Sequence, residues 1–539
     1  MFSNNPNVNI LTSLIRASKI RHIIVCPGSR NAPIVHNLHA LSQQHDISLH
    51  SVTDERSATF VALGIASHTH TPTALCVTSG SALLCTLPAV AEAYYRNCPL
   101  LIISADRPEE WIDKLDGQTI WQDNALRPYA ESFNFADTTE YCSMNEQLMQ
   151  EAFSLLLQRQ RPVHINIQLK EPLFNFTTKE LPRVTIHAEH SIPSVSTQSL
   201  PTEVIETLRN AHAPLLVMGS SDAFYPQYFY EIEKRMACLA EIIANAPHST
   251  LADQMEHALL HADTFHFVPD VVVHLGGALI HKRIKQFLRT IPHLKVIRID
   301  ANSHDADTFC HLSYSVRMST ENGLKALAEL PFHSNAHARL VESLNQACAP
   351  QTSPNSIEET CIAELGKILS SQPDMLSALH LGNSMSVRWA SRHITGGLFP
   401  VYCNRGTNGI EGSVSAAVGT ALSENGNVLL IIGDLSFFYD VNALWNNELC
   451  GNLRILLLNN NGGKIFQHLD GLNHSPALSN YIAAHHTATA QGICNSFNCY
   501  HKTITETTEI NEALNWLLAT DFNRPAVLEI LATNDLFSK

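Results

Sequence analysis

Residues 428–466 read VLLIIGDLSFFYDVNALWNNELCGNLRILLLNNNGGKIF, and this stretch decides the fold. Its two apolar runs, 428–432 and 453–458, have the length and composition of buried strands. The first run ends at Gly433-Asp434, after which Ser436 predicts the N-cap of a helix that extends through Asn442 to Leu449. The stretch therefore predicts one strand–helix–strand unit of a parallel sheet, in which ligands bind at the carboxyl ends of the strands.

The polar residues at the two strand ends predict a site for a metal ion and a diphosphate. Asp434 follows the first strand, and Asn461, 27 residues later, follows the second one. Together with glycine carbonyls they offer only a few oxygen ligands, so phosphate and water would have to complete the shell of Mg²⁺. The predicted helix N-terminus favours the same phosphate. A strand-end Asp or an Asn-Gly turn explains either residue alone, but the combination favours the site.

The composition indicates a large globular protein that does not bind nucleic acid. The chain has 539 residues, enough for three domains that each bury a core, and it is 45% hydrophobic and 16% charged. Its formal net charge of −15 argues against a nucleic-acid partner and makes any local cluster of Arg and Lys notable. Because no apolar run reaches the length of a membrane span, we expect no membrane insertion.

The cysteines and histidines suggest neither disulfides nor a metal site. Thirteen cysteines occur without a CxxC pair. Because Cys26, Cys76 and Cys85 lie in apolar runs, we interpret them as reduced core residues of a cytoplasmic protein. The 29 histidines show no HExxH spacing, and we expect the pair His485-His486 at the surface or in a loop.

Strands that alternate with helical segments predict an α/β fold of three doubly wound parallel-sheet domains. A helix is expected at 9–17, and further strands are expected at 22–26, 73–77, 100–104, 163–169, 215–218, 271–275 and 296–299. Segments 187–203 and 347–357, rich in Ser, Pro and Thr, are interpreted as linkers. The predicted domains are therefore 1–182, 200–335 and 355–539.

A weak internal repeat relates the first and third domains. The segment RPVHINI at 161–167 is echoed by RPAVLEI at 524–530, and each segment closes a domain. The repeat predicts two domains of similar topology on either side of a third.

Other candidate side chains also lie at strand ends or helix starts. Ser29 and Arg30 belong to the loop PGSRNAP, which is expected to expose backbone donors and a guanidinium suited to a carboxylate or phosphate, unless it is only a turn into a helix. Glu55 begins a helix of small residues, where the helix dipole favours an acid in any case. Lys282 and Arg283 follow a Gly-Gly turn, and they either line a strand-end crevice or cover a solvated helix face.

Taken together, these segments resemble the thiamine diphosphate-dependent enzyme family, whose fold motif is Gly-Asp-Gly followed by Asn at a similar distance. Here Leu435 stands in place of the last glycine of that motif. Within the family, GDLS with NNNGG is similar to a branch that acts in menaquinone biosynthesis. The matching segments run through all three predicted domains and are PGSR-x-x-P at 27–33, DERSATFVALGIA at 54–66, TSGSA at 78–82, SADRP at 104–108, Lys-Arg at 282–283, and GDLS with NNNGG.

The resemblance implies that the chain binds thiamine diphosphate together with Mg²⁺ or Mn²⁺. The metal ligands would be Asp434, Asn461 and the Gly463 carbonyl, and Ile410 would hold the cofactor in its bent shape. Glu55 would be catalytic, because it would keep a proton at pyrimidine N1′ and so favour loss of the C2 proton of the thiazolium. The other cofactor-binding residues implied are Ser79, Gly80, Gly433, Leu435, Ser436, Ile465 and Phe466.

The resemblance also implies an assembly of at least two chains. In this family the pyrimidine-binding domain, here 1–182, faces the diphosphate-binding domain, here 355–539, of another chain. We therefore expect a homodimer or a homotetramer in which Glu55 and Asp434 serve one cofactor from different chains.

The substrates of the menaquinone branch are 2-oxoglutarate and isochorismate. Its reaction releases CO₂ from 2-oxoglutarate and adds the succinyl carbanion to isochorismate. Both substrates carry several negative charges, and Arg is the side chain that pairs with carboxylates in a bidentate manner. The residues implied for the succinyl side are Ser384, Arg388 and Arg405, and those implied for isochorismate are Ser29, Arg30, Arg107, Gln118, Lys282 and Arg283.

Two alternatives stay open at this point. An acetolactate synthase-like carboligase or decarboxylase of the same family would use pyruvate, and many such relatives bind FAD in the middle domain. A non-catalytic phosphate-binding module of the same fold would have no use for Glu55. A dinucleotide-binding domain and a P-loop NTPase are both disfavoured, because no G-x-G-x-x-G opens a helix in the middle domain and no GxxxxGK[ST] occurs.

Overall fold

The structure of the chain is a computed structural model that describes residues 1–186, 199–247, 249–261, 265–347, 354–469, 471–519 and 521–532. These residues form three parallel sheets of six, five and six strands, with helices between the strands. The predicted α/β class with three doubly wound parallel sheets is therefore confirmed. The predicted linkers 187–203 and 347–357 lie largely outside the described residues, and the predicted domain boundaries stay predictions.

The chain packs into two compact units. The first unit consists of Met1–Ser194, Glu411–Asn425 and Tyr439–Cys450, and it contains the first sheet. The second unit contains the other two sheets and consists of Val195–Ile410, Gly426–Phe438 and Gly451–Lys539.

The first sheet is covered by helices, and its central strands are buried along their whole length, which explains their continuous apolar runs. Its strand order is β2-β1-β3-β4-β6-β5. The strands are β1 (His22–Val25), β2 (Ser48–Ser51), β3 (Thr73–Val77), β4 (Leu100–Asp106), β5 (Glu131–Phe135) and β6 (Val163–Gln168). The helices are α1 (Pro6–Ala17), α2 (Ala32–Ser42), α3 (Glu55–Thr69), α4 (Ser81–Cys85), α5 (Leu87–Arg96) and α6 (Ser143–Arg159).

The second sheet has the order β11-β10-β9-β7-β8, and hydrophobic clusters fill both of its faces. Its strands are β7 (Pro214–Met218), β8 (Ala237–Ala240), β9 (Val271–Leu275), β10 (Lys295–Ile299) and β11 (Leu312–Val316). Its helices are α7 (Thr202–Arg209), α8 (Phe229–Glu233), α9 (Thr250–Ala258), α10 (Lys282–Thr290), α11 (Thr320–Ala328) and α12 (Ala336–Ala347).

The third sheet has the order β13-β12-β14-β15-β17-β16. Its strands are β12 (Ala378–Leu381), β13 (Val401–Cys403), β14 (Val428–Gly433), β15 (Leu453–Asn459), β16 (Tyr500–Ile504) and β17 (Ala526–Leu531). Helices α13 (Ile357–Ser371), α14 (Met385–His393), α15 (Ser413–Ser423), α16 (Asp434–Tyr439), α17 (Gln491–Ser496) and α18 (Ile510–Leu517) complete this part of the chain.

The first and third sheets have the same topology. When the strands of each sheet are numbered from its own first strand, both orders become 2-1-3-4-6-5. The repeated segments at 161–167 and 524–530 form β6 and β17, which occupy the same position in the two sheets. The predicted similarity of topology is therefore confirmed for the first and third sheets along the chain.

Small residues let α15 pack closely against α3 in the first unit. A Cβ atom on Gly64 would lie 2.0 Å from the Ala416 carbonyl oxygen, and one on Gly419 would lie 2.1 Å from that of Val61. The hydroxyls of Ser57 and Ser415 are 2.9 Å apart in the same contact. The predicted helix of small residues is thus present, and its close packing fixes the start of α3, where Glu55 lies.

The helix after β14 differs from the prediction. It begins at Asp434 and ends at Tyr439, and only a 3₁₀ turn, Val441–Leu444, follows. Ser436 is therefore inside the helix and not its N-cap, and its hydroxyl donates to the Ile410 carbonyl. The chain leaves the helical path at Asp440, whose buried carboxylate accepts hydrogen bonds from the N–H and the hydroxyl of Ser415.

Among the described residues, no helix has the length and apolar character that crossing a membrane requires.

Candidate active site

In the second unit, Asp434 joins the carboxyl ends of two neighbouring strands of the third sheet. Its side chain is 4% exposed. One oxygen, Oδ2, accepts hydrogen bonds from the N–H groups of Asn460 at 3.1 Å and Gly462 at 2.9 Å. The other, Oδ1, accepts one from the N–H of Leu435 at 2.6 Å. The two strand ends predicted to form one site therefore lie side by side.

The turn after β15 presents Asn461 in a special backbone conformation. Its φ of 65° lies in the left-handed region that Asn tolerates better than most residues. Its carbonyl accepts hydrogen bonds from the His486 N–H and from His485 Nδ1, and Gly463 N–H donates to the Ala483 carbonyl. Within the described part of the chain, the side-chain amide of Asn461 makes no hydrogen bond. Its oxygen is therefore available to a ligand.

The tandem histidines are in a loop, as expected, but one of them lies at the site. His486 Nε2 is 3.3 Å from Asp434 Oδ2. Oδ2 accepts two amide hydrogen bonds and lies near this imidazole, whereas Oδ1 accepts one amide hydrogen bond and keeps a lone pair for a cation. His486 was not predicted at this site, because nothing in its local sequence places residue 486 beside residue 434.

The buried carboxylate of Glu529 stabilises the same turn through hydrogen bonds. Glu529 is fully buried in β17 and accepts hydrogen bonds from Asn459 Nδ2 at 2.8 Å and from the Ala490 N–H. Asn459 Oδ1 in turn accepts one from the Asn461 N–H. Burial alone would raise the pKa of Glu529, but the hydrogen bonds from His501 and Asn459 outweigh it and hold the pKa below its ordinary value. Glu529 thus supports the turn as an anion, a role that the apolar run around it did not reveal.

The residues at these strand ends fit a hard divalent cation and a diphosphate. Asp434 Oδ1, the Asn461 amide oxygen and the Gly463 carbonyl are all oxygen donors, the type that Mg²⁺ and Mn²⁺ prefer. A Cβ added to Gly433 would meet no atom within 4 Å. Open space therefore lies beside the end of β14, where a diphosphate would need it.

A second cluster of ligand-type side chains does not fit a metal. Glu233, Cys238 and His337 place ligand atoms within 4.8 Å of one another in the second unit. However, His337 Nδ1 accepts a hydrogen bond from the Cys238 backbone N–H at 3.2 Å. The proton of the neutral ring is then on Nε2, so neither nitrogen has a free lone pair. Burial also raises the pKa of the Cys238 thiol well above its ordinary value, which opposes formation of a thiolate ligand.

Three of the predicted substrate-binding residues lie together at the ends of β12 and β13. Ser384 precedes α14, and its carbonyl accepts a hydrogen bond from Arg388 Nη1 at 2.6 Å. Arg405 is buried, and its guanidinium donates hydrogen bonds from Nη1 to Asn383 Oδ1 and from Nη2 to the Leu279 carbonyl at 3.0 Å. Burial and the neighbouring Arg405 charge both lower the pKa of Arg388. The two guanidiniums repel each other, and an anionic ligand between them would relieve that repulsion.

Lys282 and Arg283 are exposed at the start of α10. Arg283 pairs with Glu256 at 3.4 Å, and the Glu256 carboxylate also accepts hydrogen bonds from the N–H groups of Arg283 and Ile284. Lys282 and Arg283 directly follow the loop after β9. The Leu279 carbonyl of this loop accepts the hydrogen bond from Arg405. The second unit thus brings together predicted residues from both substrate groups.

In the first unit, Arg30 is oriented differently from the prediction. The loop PGSRNAP was expected to expose its guanidinium, but Arg30 is 2% exposed and donates to the Leu169 carbonyl at 2.9 Å and to Glu171 at 3.3 Å. The neighbouring Ser29 is exposed. The expected exposure of Arg30 is therefore wrong, because the end of β6 offers the guanidinium two acceptors that the local sequence does not show.

The turn after β3 contains Ser79, which is buried, and Gly80, which is bonded to a buried polar network. Gly80 has a φ of 88°, and its N–H donates to Gln122 Oε1 at 2.7 Å. Gln122 and the Asp106 carboxylate both bond to Asn166. Burial raises the pKa of Asp106 to about 6. Gln122 and Asn166 were not predicted, since their partners are far away in the chain.

The other predicted residues of the first unit lie at its strand ends and helix starts. Glu55 is the first residue of α3, is half-buried, and follows Asp54, whose side chain caps the helix. Arg107 follows β4 and is half-buried, and Gln118 is exposed in the connection beyond it. Cys85 is exposed, so its prediction as a core residue is wrong; it lies at the end of the short helix α4 and not on a buried strand.

The remaining predicted cofactor residues lie in the second unit. Ile410 is 43% exposed, a large fraction for an isoleucine. Ile465 and Phe466 lie in the 3₁₀ turn Lys464–His468, and the Phe466 ring approaches Gly463. The exposed side chain of Ile410 could contact a ligand, as the prediction requires.

Comparison with known proteins shows full-length relatives. Residues 8–126 match the family described as the thiamine pyrophosphate enzyme, N-terminal TPP binding domain. The chain is 34% identical to the 2-succinyl-5-enolpyruvyl-6-hydroxy-3-cyclohexene-1-carboxylate synthase of Phocaeicola vulgatus, over 99% of this chain and 97% of the relative. Proteins of the same name from Bacteroides fragilis and Desulfotalea psychrophila are 33% and 36% identical, covering 99% and 87% of this chain and 97% and 88% of the relative.

Proposed function

The chain belongs to the family of thiamine diphosphate-dependent 2-succinyl-5-enolpyruvyl-6-hydroxy-3-cyclohexene-1-carboxylate (SEPHCHC) synthases, and from this membership we propose its reaction and site. It releases CO₂ from 2-oxoglutarate and transfers the succinyl group to isochorismate, giving SEPHCHC in menaquinone biosynthesis. The observation that carries the proposal is the Asp434 arrangement at the ends of β14 and β15, within a chain related to these synthases over its whole length.

Asp434, Asn461 and the Gly463 carbonyl would hold Mg²⁺ or Mn²⁺ and, through it, the diphosphate. Thiamine diphosphate, when bound, supplies the carbon nucleophile and the electron sink for decarboxylation. Glu55 would hold a proton at pyrimidine N1′. The lining of the cofactor would come from Ser79, Gly80, Ile410, Gly433, Leu435, Ser436, Ile465 and Phe466.

The basic side chains divide into two groups. Arg388 and Arg405, with Ser384, would bind the distal carboxylate of 2-oxoglutarate. Burial and the Arg405 charge lower the pKa of Arg388, and an anion beside the two guanidiniums would offset that repulsion. Isochorismate also carries carboxylates. Its proposed partners are Ser29, Arg30, Arg107, Gln118, Lys282 and Arg283.

The second sheet argues against the alternative of an acetolactate synthase-like enzyme with a bound dinucleotide. Its strand order reverses between β7 and β9, and such a reversal is where a doubly wound sheet binds a nucleotide. Here the loops that follow β7 and β9 are hydrogen-bonded to each other. Gly277 N–H donates to the Ser220 carbonyl at 2.7 Å, and Ser220 N–H donates to the Ala278 carbonyl at 3.1 Å. A Cβ on Gly219 would lie 2.3 Å from the Gly277 carbonyl oxygen. The chain's own backbone therefore occupies that crevice.

We further propose a cytoplasmic homodimer or homotetramer. The described cysteines are all free, which suits a reducing compartment. Large apolar side chains are exposed on the first unit, among them Leu115, Trp121 (69% exposed) and Trp445, and such side chains are suited to a subunit interface. In the test, inactive Glu55→Gln and Asp434→Ala proteins are mixed under subunit exchange, and some activity should return. An active monomer by light scattering at the assay concentration would refute the shared site.

The reaction is tested with purified protein, thiamine diphosphate and Mg²⁺ or Mn²⁺. CO₂ release is measured from 2-oxoglutarate with and without isochorismate, and pyruvate serves as the control donor. We expect CO₂ from 2-oxoglutarate and a coupled product only when isochorismate is present. Preferential turnover of pyruvate would favour the acetolactate-type alternative, and no turnover of either donor would favour the non-catalytic one.

A further inference from the structure

We infer that Glu241 is a positioning residue that fixes the basic side chains for both substrates, an inference that rests on the proposed function. Glu241 follows β8 and is 2% exposed. Its carboxylate binds the loop between β9 and α10, which has the sequence GGALIH at 276–281 and continues into Lys282 and Arg283 of α10. Among the described residues, its carboxylate makes no hydrogen bond to a residue proposed to contact substrate, and its hydrogen bonds go to this loop.

The carboxylate of Glu241 holds two successive backbone amides and a side chain of the loop. Ile280 N–H donates to its two oxygens at 2.8 and 2.7 Å, and His281 N–H donates at 3.0 Å. His281 Nδ1 lies 3.0 Å from the same carboxylate. A buried carboxylate with this many hydrogen bonds keeps the loop backbone in one conformation.

The loop transmits that position to Arg405. Leu279, the residue before Ile280, accepts hydrogen bonds through its carbonyl from Arg405 Nη2 at 3.0 Å and from Lys285 Nζ at 3.3 Å. Arg405 is buried, and the atoms packed around it restrict its movement. If the Leu279 carbonyl moved, Arg405 would therefore lose this hydrogen bond. The loop also continues directly into Lys282 and Arg283, the pair proposed for isochorismate.

A chain of alternating charges connects the same loop to the helix of Arg388. His281 Nε2 lies 3.8 Å from Asp253 Oδ1, and Asp253 Oδ2 accepts a hydrogen bond from Arg392 Nε at 3.1 Å. Arg392 follows Arg388 by one turn of α14. Arg405 is therefore bonded directly to the loop that Glu241 holds, and the helix that carries Arg388 is connected to the same loop through Arg392 and Asp253.

The pairing with His281 explains how an acidic residue is tolerated beside a site for anions. Burial alone would lower the pKa of His281, but Asp253 and Glu241 outweigh it and raise the pKa to about 9. The imidazolium therefore balances the Glu241 charge at neutral pH. The carboxylate can position the loop without weakening the attraction of the nearby cations for a dicarboxylate.

The test compares Glu241→Gln and Glu241→Asp with Asp270→Asn as a matched control. Asp270 also binds two successive backbone amides, those of His212 and Ala213 at 2.7 and 2.8 Å, but these lead into the start of β7, away from the loop. For Glu241→Gln we expect KM to rise about tenfold to a hundredfold for both 2-oxoglutarate and isochorismate. This range corresponds to the loss of one charge-assisted hydrogen bond to each substrate. We expect kcat to change less than about threefold. Glu241→Asp should lie between the wild type and Glu241→Gln, and Asp270→Asn should leave both KM values unchanged.

Unchanged KM values in Glu241→Gln, or a rise that Asp270→Asn reproduces, would overturn the positioning role. If Glu241→Gln does not fold, His281→Gln tests the same loop, since it keeps both amide bonds but removes the balancing charge, and it too should raise both KM values. The wild-type measurement separates the two questions. Absence of wild-type turnover refutes the proposed function, whereas a normal wild type with normal variants refutes only the role of Glu241.

Discussion

Replacing Asp434 with Ala should affect the protein in two separable ways. The change removes the only carboxylate among the proposed metal ligands. It also removes the acceptor that holds the N–H groups of Asn460 and Gly462 at the end of the neighbouring strand. We therefore expect loss of cofactor binding together with a less stable apoprotein.

The size of the stability loss follows from the hydrogen bonds. A bond to a charged acceptor contributes about 1.5–3 kcal/mol, so the two bonds across the turn set an upper range of about 3–6 kcal/mol. Asn460 is half-buried, and water can replace part of the lost acceptor. About 2–4 kcal/mol of the free energy of unfolding should therefore be lost. A charged metal ligand is worth at least as much, so affinity for the metal and thiamine diphosphate together should fall roughly 100-fold or more.

Two measurements separate these effects. Urea unfolding of the apoprotein, without metal or cofactor, reports the turn, and calorimetric titration with thiamine diphosphate in Mg²⁺ reports the ligand site. Asp440→Asn is the matched control, because Asp440 is also buried and also binds a backbone amide, that of Ser415, but it lies in the first unit and is not a proposed ligand. This control should lose stability and keep its cofactor affinity once folded.

Each outcome bears on one part of the reasoning. Unchanged thiamine diphosphate affinity in Asp434→Ala would refute the metal assignment. Unchanged stability of the apoprotein would show that the two amide bonds to Oδ2 contribute little. If Asp440→Asn lost affinity to the same extent, the effect of Asp434→Ala would be a general consequence of destabilisation.

Three further predictions concern other groups. In Glu55→Gln, proton–deuterium exchange at C2 of bound thiamine diphosphate should slow roughly 10²–10⁴-fold with the fold intact by circular dichroism, and a wild-type rate would reduce Glu55 to a helix-start acid. Changing Lys282 and Arg283 together to Ala should spare CO₂ release from 2-oxoglutarate alone and impair isochorismate consumption, whereas Arg388→Ala should impair CO₂ release itself; equal losses in both assays for the double variant would contradict the division of the pocket. The proton on His281, with a pKa of about 9 in the folded protein against an ordinary 6.5, stabilises fully below about pH 6.5, and this contribution of about 3 kcal/mol should be lost as pH rises through 9. Thermal unfolding between pH 6 and 10 should show this loss, and His281→Gln should remove most of it.

The local sequence determined the strands with continuous apolar runs, and through them the fold class. Runs such as 428–432 and 453–458 are apolar throughout because parallel strands are covered on both faces, and that requirement acts on each residue where it stands. The adjacency of Asp434 and the 459–463 turn was predictable for the same reason, since consecutive strands with a helix between them pair in parallel. The repeat at 161–167 and 524–530 likewise reflects the identical position of two strands in two sheets.

Only the tertiary structure decided which side chains surround those strand ends. His486 beside Asp434, Glu529 beneath Asn459, and Glu241 holding Ile280 are all contacts between residues far apart in the chain. A hydrogen bond of this kind leaves no periodic pattern in the local sequence, because only one or two residues of each segment take part.

Two of the predictions that were wrong have the same physical origin. The side chain of Arg30 turns inward because the end of β6 supplies the Leu169 carbonyl, and the helix after β14 ends early because Asp440 binds Ser415. In both cases a partner distant in sequence outweighs a local preference. The sequence by itself therefore determines the apolar strands and the order of the motifs along the chain, but not the other strands, such as β2, β5 and β16 at the sheet edges. Long-range polar contacts determine how the side chains at the strand ends are oriented.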